Sequence, residues 1–460
     1  MNWSKLNISL ASNFIKVFAT YEIMEIAKIL GFIKRSDGKL SPITLVKALT
    51  VGILNESNVT LQLIAFKCEE IQQDLRISKE AIFQRLKIGS KLMKELFEQT
   101  INNALKKVND IDVIAVFKQF KNVYICDSTV LQVPDKLKDI FPAAGAANLK
   151  SALKLQVVFS IINRTFKKLE VFKGTDNDQQ YAHEIANMLE PNELVIFDLG
   201  YYGKPVLNEI KAKGAYFVSR ISHHNKFYIE AQTPGHKVKK INILEIFRKS
   251  DGIVDMEITI GGEKAKRLTC RLVAVKLPEE VANERRRKAK IKAKGKTLTD
   301  YQLEFLGWNI FITNCTKEML SLEAVCDIYR IRWQIEIIFK SYKSHLNLEG
   351  LGLGGRDQVE SILYGRLIMI TLFTTIYSSM YKIMYEMHKR ELSILKFFNM
   401  LRTKLYVVTN CINERIINLT KLLGLFIYVA EKSLYEKRKR KTTAQILMNY
   451  QKPSLLANAG

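Results

Sequence analysis

The stretch ELVIFDLGYY (193–202) places Asp198 directly after a short apolar run, and NVYICDSTVLQV (122–133) does the same with Asp127. Short β-branched runs bounded by turn residues are typical of buried strands, so each aspartate is predicted on or at the end of one. A lone aspartate there is most simply a turn residue. Two on neighbouring strands would instead gather carboxylate oxygens at one sheet edge, which are the ligands that Mg²⁺ or Mn²⁺ prefers.

Further strands and helices surround these two stretches. The segments LKLQVVFSIIN (153–163), KKLEVFKGT (167–175) and YFVSRIS (216–222) are predicted strands, whereas DQQYAHEIANMLE (178–190) and GKPVLNEIKAKG (203–214) are predicted helices. Pro205 suits the beginning of the second helix and Gly214 suits its end. Three strands, a helix, a strand, a helix and a strand indicate a mixed α/β sheet with flanking helices.

The N-terminal region, residues 1 to about 110, has helical spacing. Ser78 is a predicted cap for the helix KEAIFQRLKIGSKLMKELFEQ that follows it. This segment is either a helix-turn-helix, with Gln84, Arg85 and Lys87 as candidate DNA contacts, or two packed helices without a DNA role. The spacing favours neither interpretation.

The region from about 223 to 318 is predicted to be mostly β, with KFYIEA, GIVDMEITI, KRLTCRLVAVKL and WNIFITN as short strands. It contains the dense basic segment ERRRKAKIKAKGK (284–296), a solvated loop or exposed helix for which DNA contact is slightly favoured. Residues from 319 onward are again helical in pattern, and KRKRK (437–441) is equally consistent with a solvated tail and a phosphate contact.

The composition limits the function classes. A formal net charge of +25 favours polyanion partners, although a solvated lysine-rich surface or an anionic membrane surface would also fit. The six cysteines are scattered without metal-ligand spacing, and the sequence contains no P-loop and no signal-peptide core. The apolar run LIMITLFTTIYS (367–378) is too short to span a bilayer and is predicted to be a buried core helix. We therefore expect a cytoplasmic protein without a membrane partner.

A third carboxylate comes from DIYRIRWQIEIIFKSYKSHL (327–346). On one continuous helix that advances about 100° per residue, five polar side chains would share a face opposite an apolar stripe. These side chains are Tyr329, Arg332, Glu336, Lys340 and Lys343. A solvated face with an Arg332–Glu336 pair four residues apart is the simpler alternative.

Together these residues resemble the DDE transposases of bacterial insertion sequences, in the branch marked by Tyr-x2-Arg-x3-Glu-x6-Lys. Tyr329, Arg332, Glu336 and Lys343 match that signature at every spacing. Asp127-Ser128-Thr129 resembles the first-aspartate motif of this family, and Asp198-Leu199-Gly200-Tyr201 resembles its second-aspartate motif. Arg220 matches the basic residue that ends the strand after the second aspartate. The resemblance covers about 120 to 350.

The resemblance implies an RNase H-like mixed sheet interrupted by a mostly β insertion, plus helical N- and C-terminal regions. The implied domains are 1–115 (helical, DNA-binding), 116–222 (first part of the catalytic core), 223–318 (insertion), 319–360 (helix with Glu336) and 361–460 (helical, with dimerisation as one role). The resemblance also implies two Mg²⁺ or Mn²⁺ ions. Asp127 would bridge the two ions, Asp198 would hold one of them and Glu336 would hold the other.

The implied activity is that of a transposase that binds its element's ends as double-stranded DNA, cleaves them and transfers the strands. A homodimer on paired ends, at the nucleoid, is expected, and a hairpin intermediate is left open. Predicted DNA contacts are Tyr329, Arg332, Lys340, Lys343, Arg220 and Trp308. Trp308 either stacks on a flipped-out base or is a plain core residue. The alternatives are a nuclease that cannot join ends and a DNA-binding protein derived from a transposase.

Overall fold

A computed structural model describes residues 18, 20–33, 39–108, 120–144, 149–230, 238–261, 267–293, 295–352, 354–404, 424 and 428–436. The basic run at 437–441 lies outside these ranges. The chain forms two compact units. The aspartate unit comprises Val116–Asp127, Asn177–Trp333 and Thr443–Gly460, and the glutamate unit comprises Met1–Ala115, Ser128–Asp176 and Gln334–Thr442.

The strands are β1 (Asn122–Gln132), β2 (Ala152–Ser160), β3 (Thr165–Lys173), β4 (Glu193–Phe197), β5 (Tyr216–Arg220), β6 (Phe227–Glu230), β7 (Val238–Ile241), β8 (Ile253–Ile260), β9 (Leu268–Lys276) and β10 (Trp308–Thr313). They form one sheet in the order β3-β2-β1-β4-β5-β10-β9-β8-β6-β7. Strand β4 is parallel to both β1 and β5, whereas β2 and β3 are antiparallel. The predicted RNase H-like mixed sheet is thereby confirmed.

The helices are α1 (Thr20–Ile29), α2 (Pro42–Lys47), α3 (Leu61–Ile71), α4 (Lys79–Val108), α5 (Asp178–Met188), α6 (Lys204–Ala212), α7 (Ile243–Lys249), α8 (Glu279–Lys292), α9 (Asp300–Phe305), α10 (Leu322–Ile331), α11 (Gln334–His345), α12 (Arg356–His388) and α13 (Ile394–Thr403). Helix α6 has its proline in the first turn, as predicted, and Gly214 follows it with a φ of 69°, a left-handed conformation that favours glycine.

The predicted insertion belongs to the aspartate unit, and its strands continue the sheet. Strand β10 pairs antiparallel with β5 and with β9, and β9 pairs with β8. The insertion also contains α7 and α9, which the β-rich pattern did not predict, and α8, which corresponds to the exposed-helix alternative for the basic segment. Most of the basic segment at 284–296 lies in α8, because its alanine, glutamate, lysine and arginine residues are strong helix formers.

In the glutamate unit, α4 begins as the sequence predicts. The Ser78 hydroxyl accepts a hydrogen bond from the amide of Ala81 at 3.2 Å, which caps the first turn. Arg85, a candidate DNA contact, donates through Nη1 to the carbonyl of Phe32 at 3.1 Å and lies over that ring. This guanidinium therefore ties α4 to the end of α1, and the DNA role of the segment stays a prediction.

Helix α12 contains the apolar run that the sequence analysis assigned to the core. Its length and composition would suffice to cross a membrane, but 83% of its most apolar window is buried within the protein. Gly365 lies where α12 meets the π-helix at Ala48–Gly52. A Cβ atom at Gly365 would lie 2.1 Å from the carbonyl oxygen of Leu49, so only glycine permits this approach.

We therefore expect Gly365→Ala to lower the free energy of unfolding by about 1–3 kcal/mol, the usual range for overpacking a close contact. Gly52→Ala is the matched control, because its Cβ would meet its nearest neighbours at 3.4 Å and 3.5 Å, which is ordinary contact. Urea unfolding of both variants measures the difference. Equal stabilities would contradict the close approach at Leu49.

Candidate active site

Asp127 lies in β1, and Asp198 directly follows β4, the parallel neighbour of β1. Ile125 of β1 is the partner of Ile196 of β4, and Asp127 and Asp198 each follow two positions later. Because side chains two residues apart point to the same face of a strand, both carboxylates share a face. Neighbouring strands are about 4.8 Å apart, so this register brings the two aspartates to adjacent positions of the sheet.

Each aspartate is held by a side chain from the end of α10. Arg332 donates through Nη1 to Asp127 Oδ2 at 3.3 Å, and the Tyr329 hydroxyl donates to Asp198 Oδ1 at 3.2 Å. A guanidinium and a phenol thus offset the repulsion between two close negative charges. The predicted arginine and tyrosine therefore lie at the predicted aspartates.

Tyr329 is positioned by aromatic and cationic neighbours. Its ring centroid lies 4.7 Å from that of Phe311, and the Cζ atom of Arg220 lies 5.2 Å from it. Burial raises the pKa of the phenol to about 12; Arg220 opposes this shift and Asp198 adds to it. The hydroxyl consequently stays protonated at neutral pH and can donate to Asp198.

The predicted single helix over 327–346 is wrong, because Arg332 and Trp333 separate α10 from α11. The amides of these two residues donate to carbonyls three positions back, at Tyr329 and Arg330, rather than four. Such tightened turns are common where an α-helix ends. The five polar residues consequently belong to two helical segments, with Tyr329 on α10 and Arg332 at its end.

Glu336, Lys340 and Lys343 belong to α11 in the glutamate unit. At about 100° per residue they fall within about 60° of one another, so they share one face of that helix. Glu336 and Lys340 are exposed, and Glu336 lies in the first turn. Lys343 binds Glu349 at 2.6 Å and donates to the carbonyl of Val130 at 3.4 Å.

Trp308 is a buried side chain in the insertion. It is 8% exposed, and its ring centroid lies 4.5 Å from that of Phe247. This placement corresponds to the core alternative, and its predicted base-stacking role stays a prediction. Trp333, which the sequence analysis did not single out, is 59% exposed beside Arg332. The sequence signal that could have pointed to Trp333 is its position directly after Arg332 of the signature.

The two aspartates suit a hard divalent cation, because Asp127 and Asp198 offer only carboxylate oxygens. The register of the two aspartates is the structural observation that supports this fit. Among the residues that the structure describes, no group of three or more His, Cys, Asp or Glu side chains is gathered closely enough to hold a metal. The ligand roles, including that of Glu336, therefore remain predictions.

In-register aspartates in an RNase H-like sheet, held by a tyrosine and an arginine from one helix, are the arrangement expected of the DDE class. A family model described as a transposase DDE domain matches residues 118–372. The chain belongs to this family, which confirms the prediction of a DDE transposase. Members of the family use divalent metal ions in their reaction.

Named relatives align over most of the chain. The transposase for insertion sequence element IS231C of Bacillus thuringiensis subsp. berliner is 28% identical over 438 residues, covering 91% of this chain and 90% of the relative. The corresponding IS231E protein of subsp. finitimus is 28% identical and covers 75% and 76%, respectively. That of IS1151 from Clostridium perfringens is 28% identical and covers 83% of both chains. A solved piggyBac transposase synaptic complex with hairpin DNA aligns at a TM-score of 0.46 and 9% identity, covering 94% of this chain and 87% of that one.

Trp308 is buried and Trp333 is exposed, and substitution of each residue tests this difference. We expect Trp308→Ala to lower the free energy of unfolding by about 3–5 kcal/mol, because it removes a buried ring from the core. Trp333→Ala should change it by less than about 0.5 kcal/mol, as is usual for exposed positions. Chemical denaturation of both variants measures this. A stable Trp308→Ala variant with weakened DNA binding would instead support the stacking role.

Proposed function

We propose that the chain binds the ends of its own insertion sequence and catalyses metal-dependent strand cleavage followed by strand transfer, in a cut-and-paste reaction. The observation that supports this most strongly is the register of Asp127 and Asp198, with Arg332 and Tyr329 bonded to them. Two carboxylates held side by side at the end of a strand pair are suited to cation binding and phosphoryl chemistry.

Asp127, Asp198 and Glu336 would hold two Mg²⁺ or Mn²⁺ ions. When bound, such ions supply an activated nucleophile near neutral pH and stabilise the leaving oxygen. Tyr329 donates its hydroxyl proton to Asp198 in a hydrogen bond and so orients that carboxylate. Arg332 donates through Nη1 to Asp127 and so orients that carboxylate, and a guanidinium is also the group best suited to grip a phosphate of the DNA.

The remaining predicted contacts grip the DNA backbone in this proposal. Lys340 is exposed on α11, Lys343 on the same face would exchange its partner Glu349 for a phosphate, and Arg220 ends β5 beside Tyr329. Positively charged side chains that neutralise phosphates release condensed counterions, which strengthens binding at low salt. Trp333 adds an exposed ring on which a base can stack.

The relatives are named transposases for insertion sequence elements, which supports double-stranded DNA ends and target DNA as the partners. Because cut-and-paste transposition brings two ends together, we propose a homodimer on paired ends. The reaction would take place at the nucleoid in the cytoplasm. The products of the cleavage experiment below show whether a hairpin intermediate forms and which terminal repeats are bound.

The first test compares wild type with Glu336→Gln on labelled duplexes that bear the inverted repeats flanking this chain's own gene. With Mg²⁺ or Mn²⁺, we expect the variant to bind these ends but to cut them more than about a hundredfold more slowly, because bound metal contributes several kcal/mol. Glu98→Gln is the control, since Glu98 is exposed on α4 and pairs only loosely with Lys94, at 3.8 Å. It should cut as wild type does.

Three other results would change the proposal. If wild type binds the ends and cuts under neither metal, the chain is a DNA-binding protein derived from a transposase. If it cuts but never joins ends to target DNA, it is a nuclease. If Glu336→Gln cuts as fast as wild type, Glu336 is not a metal ligand.

Tyr329→Phe tests the hydrogen bond to Asp198. We expect cleavage to slow by roughly tenfold to a hundredfold, since a hydrogen bond to a charged group contributes about 1.5–3 kcal/mol. With a phenol pKa of about 12, the hydroxyl stays protonated across the assay range. The ratio of wild-type to variant rate should therefore be constant between about pH 7 and about pH 9, well below that pKa. Tyr301→Phe, on α9, is the control, and a ratio that falls as pH rises would contradict this protonation state.

A further inference from the structure

Arg285 is a half-buried arginine on α8, within the basic segment 284–296 and outside the Tyr-x2-Arg-x3-Glu-x6-Lys signature. Its Nη2 atom donates to Asn309 Oδ1 at 2.7 Å, and its Nη1 atom donates to the carbonyl of Trp308 at 3.4 Å. Both partners lie at the beginning of β10. These bonds hold the guanidinium in place against the sheet and leave its other donors available.

The sheet register places Arg285 beside Arg220. Phe311 of β10 is the partner of Arg220 on β5, so these two side chains share a face. Asn309 lies two positions from Phe311 on the same face, which makes it a diagonal neighbour of Arg220 at about 7–8 Å. Because Arg285 binds Asn309, its guanidinium lies on the face that carries Arg220 and Tyr329.

The pKa of Arg285 is lowered for two reasons. Burial lowers the pKa of Arg285, and the positive charge of Arg220 lowers it further. Within the described part of the chain, neither arginine has a carboxylate at ion-pair distance. The next two arginines of α8 differ in this respect, because Arg286 binds Glu279 at 2.7 Å and Arg287 binds Glu284 at 2.8 Å.

Two adjacent like charges without a counterion destabilise the free protein and favour an anion between them. We propose that Arg285 and Arg220 together bind a phosphate group of the DNA backbone next to the catalytic aspartates. This inference rests on the proposed function and adds the insertion helix α8 to the DNA path. Arg220 lies over the ring of Tyr329, whose hydroxyl is bonded to Asp198, so two contacts join this arginine to one of the proposed metal ligands.

The exposed end of α8 extends the same surface. Lys292 follows Arg285 by seven residues, which places it within about 20° of the same helix face and about 10.5 Å further along the axis. It is exposed and, among the described residues, has no acidic partner. A DNA strand bound at the arginine pair can therefore continue along α8 towards this lysine.

The test measures DNA affinity against salt concentration, with the full chain bearing Glu336→Gln so that the DNA stays intact. The probe is the labelled inverted-repeat duplex described above. We expect Arg285→Gln to weaken binding by about tenfold and to reduce the slope of log K against log salt by about 1, the loss of one phosphate contact. Arg285→Lys keeps the charge and should keep the slope. Arg286→Gln, the neighbouring arginine with an acidic partner, should leave both quantities unchanged.

A purely structural role for Arg285 predicts a different result. In that case Arg285→Gln and Arg285→Lys would both lower the unfolding temperature, and the salt slope would equal that of the parent, which overturns the inference. If Arg285→Gln does not fold, Arg285→Met, which keeps the aliphatic stem and removes the charge, is measured instead: a slope lower by about 1 supports the inference and an unaltered slope overturns it. Normal binding with an unchanged slope removes only this inference, whereas a parent chain that fails to bind the duplex removes the proposed function as well.

Discussion

The parallel pairing of β1 with β4 is the constraint on which the site depends. Because Ile125 and Ile196 are register partners, a slip of one residue would turn one aspartate to the opposite face. The buried apolar residues before each aspartate hold that register through the hydrophobic effect. Bringing two carboxylates together is unfavourable by itself, so the site needs positive charge or hydrogen-bond donors nearby. Tyr329 and Arg332 supply both from a single helix end.

Much of the core could be predicted from the sequence, because its signals are local. Apolar runs before Asp127 and Asp198 indicate strands, and a proline and a glycine bound helix α6. The break between α10 and α11 could not be predicted in this way, since Arg332 and Trp333 have ordinary helix propensity. The helical spacing of the sequence therefore continues across Arg332 and Trp333, although the backbone forms a tighter turn there and the helix is interrupted. Tertiary contacts such as the Arg332–Asp127 bond are compatible with that turn but leave no periodic mark in the sequence.

The insertion shows the same limit of local signals. Its strands β8, β9 and β10 follow from alternating and apolar runs, but the pairing of β10 with β5 joins residues about ninety positions apart. Nothing in the local pattern marks that pairing. Trp308 illustrates the consequence, because its burial against Phe247 depends on which elements meet in the unit. The composition identified the basic segment. Which of its arginines are paired with a carboxylate is known only from the contacts of α8.

The difference between arginines with and without a carboxylate partner explains how a strongly basic protein can bind DNA preferentially at one part of its surface. A net charge of +25 attracts DNA to many surfaces, and a charge already paired with a carboxylate adds little to phosphate binding. Arg286 and Arg287 are paired in this way, whereas Arg220 and Arg285 repel each other across the face that carries Tyr329. A phosphate bound there relieves the repulsion, so binding is favoured at this position over the paired ones. The arginines without acidic partners thus direct the DNA towards the aspartates, while the paired arginines stabilise the helix that presents them.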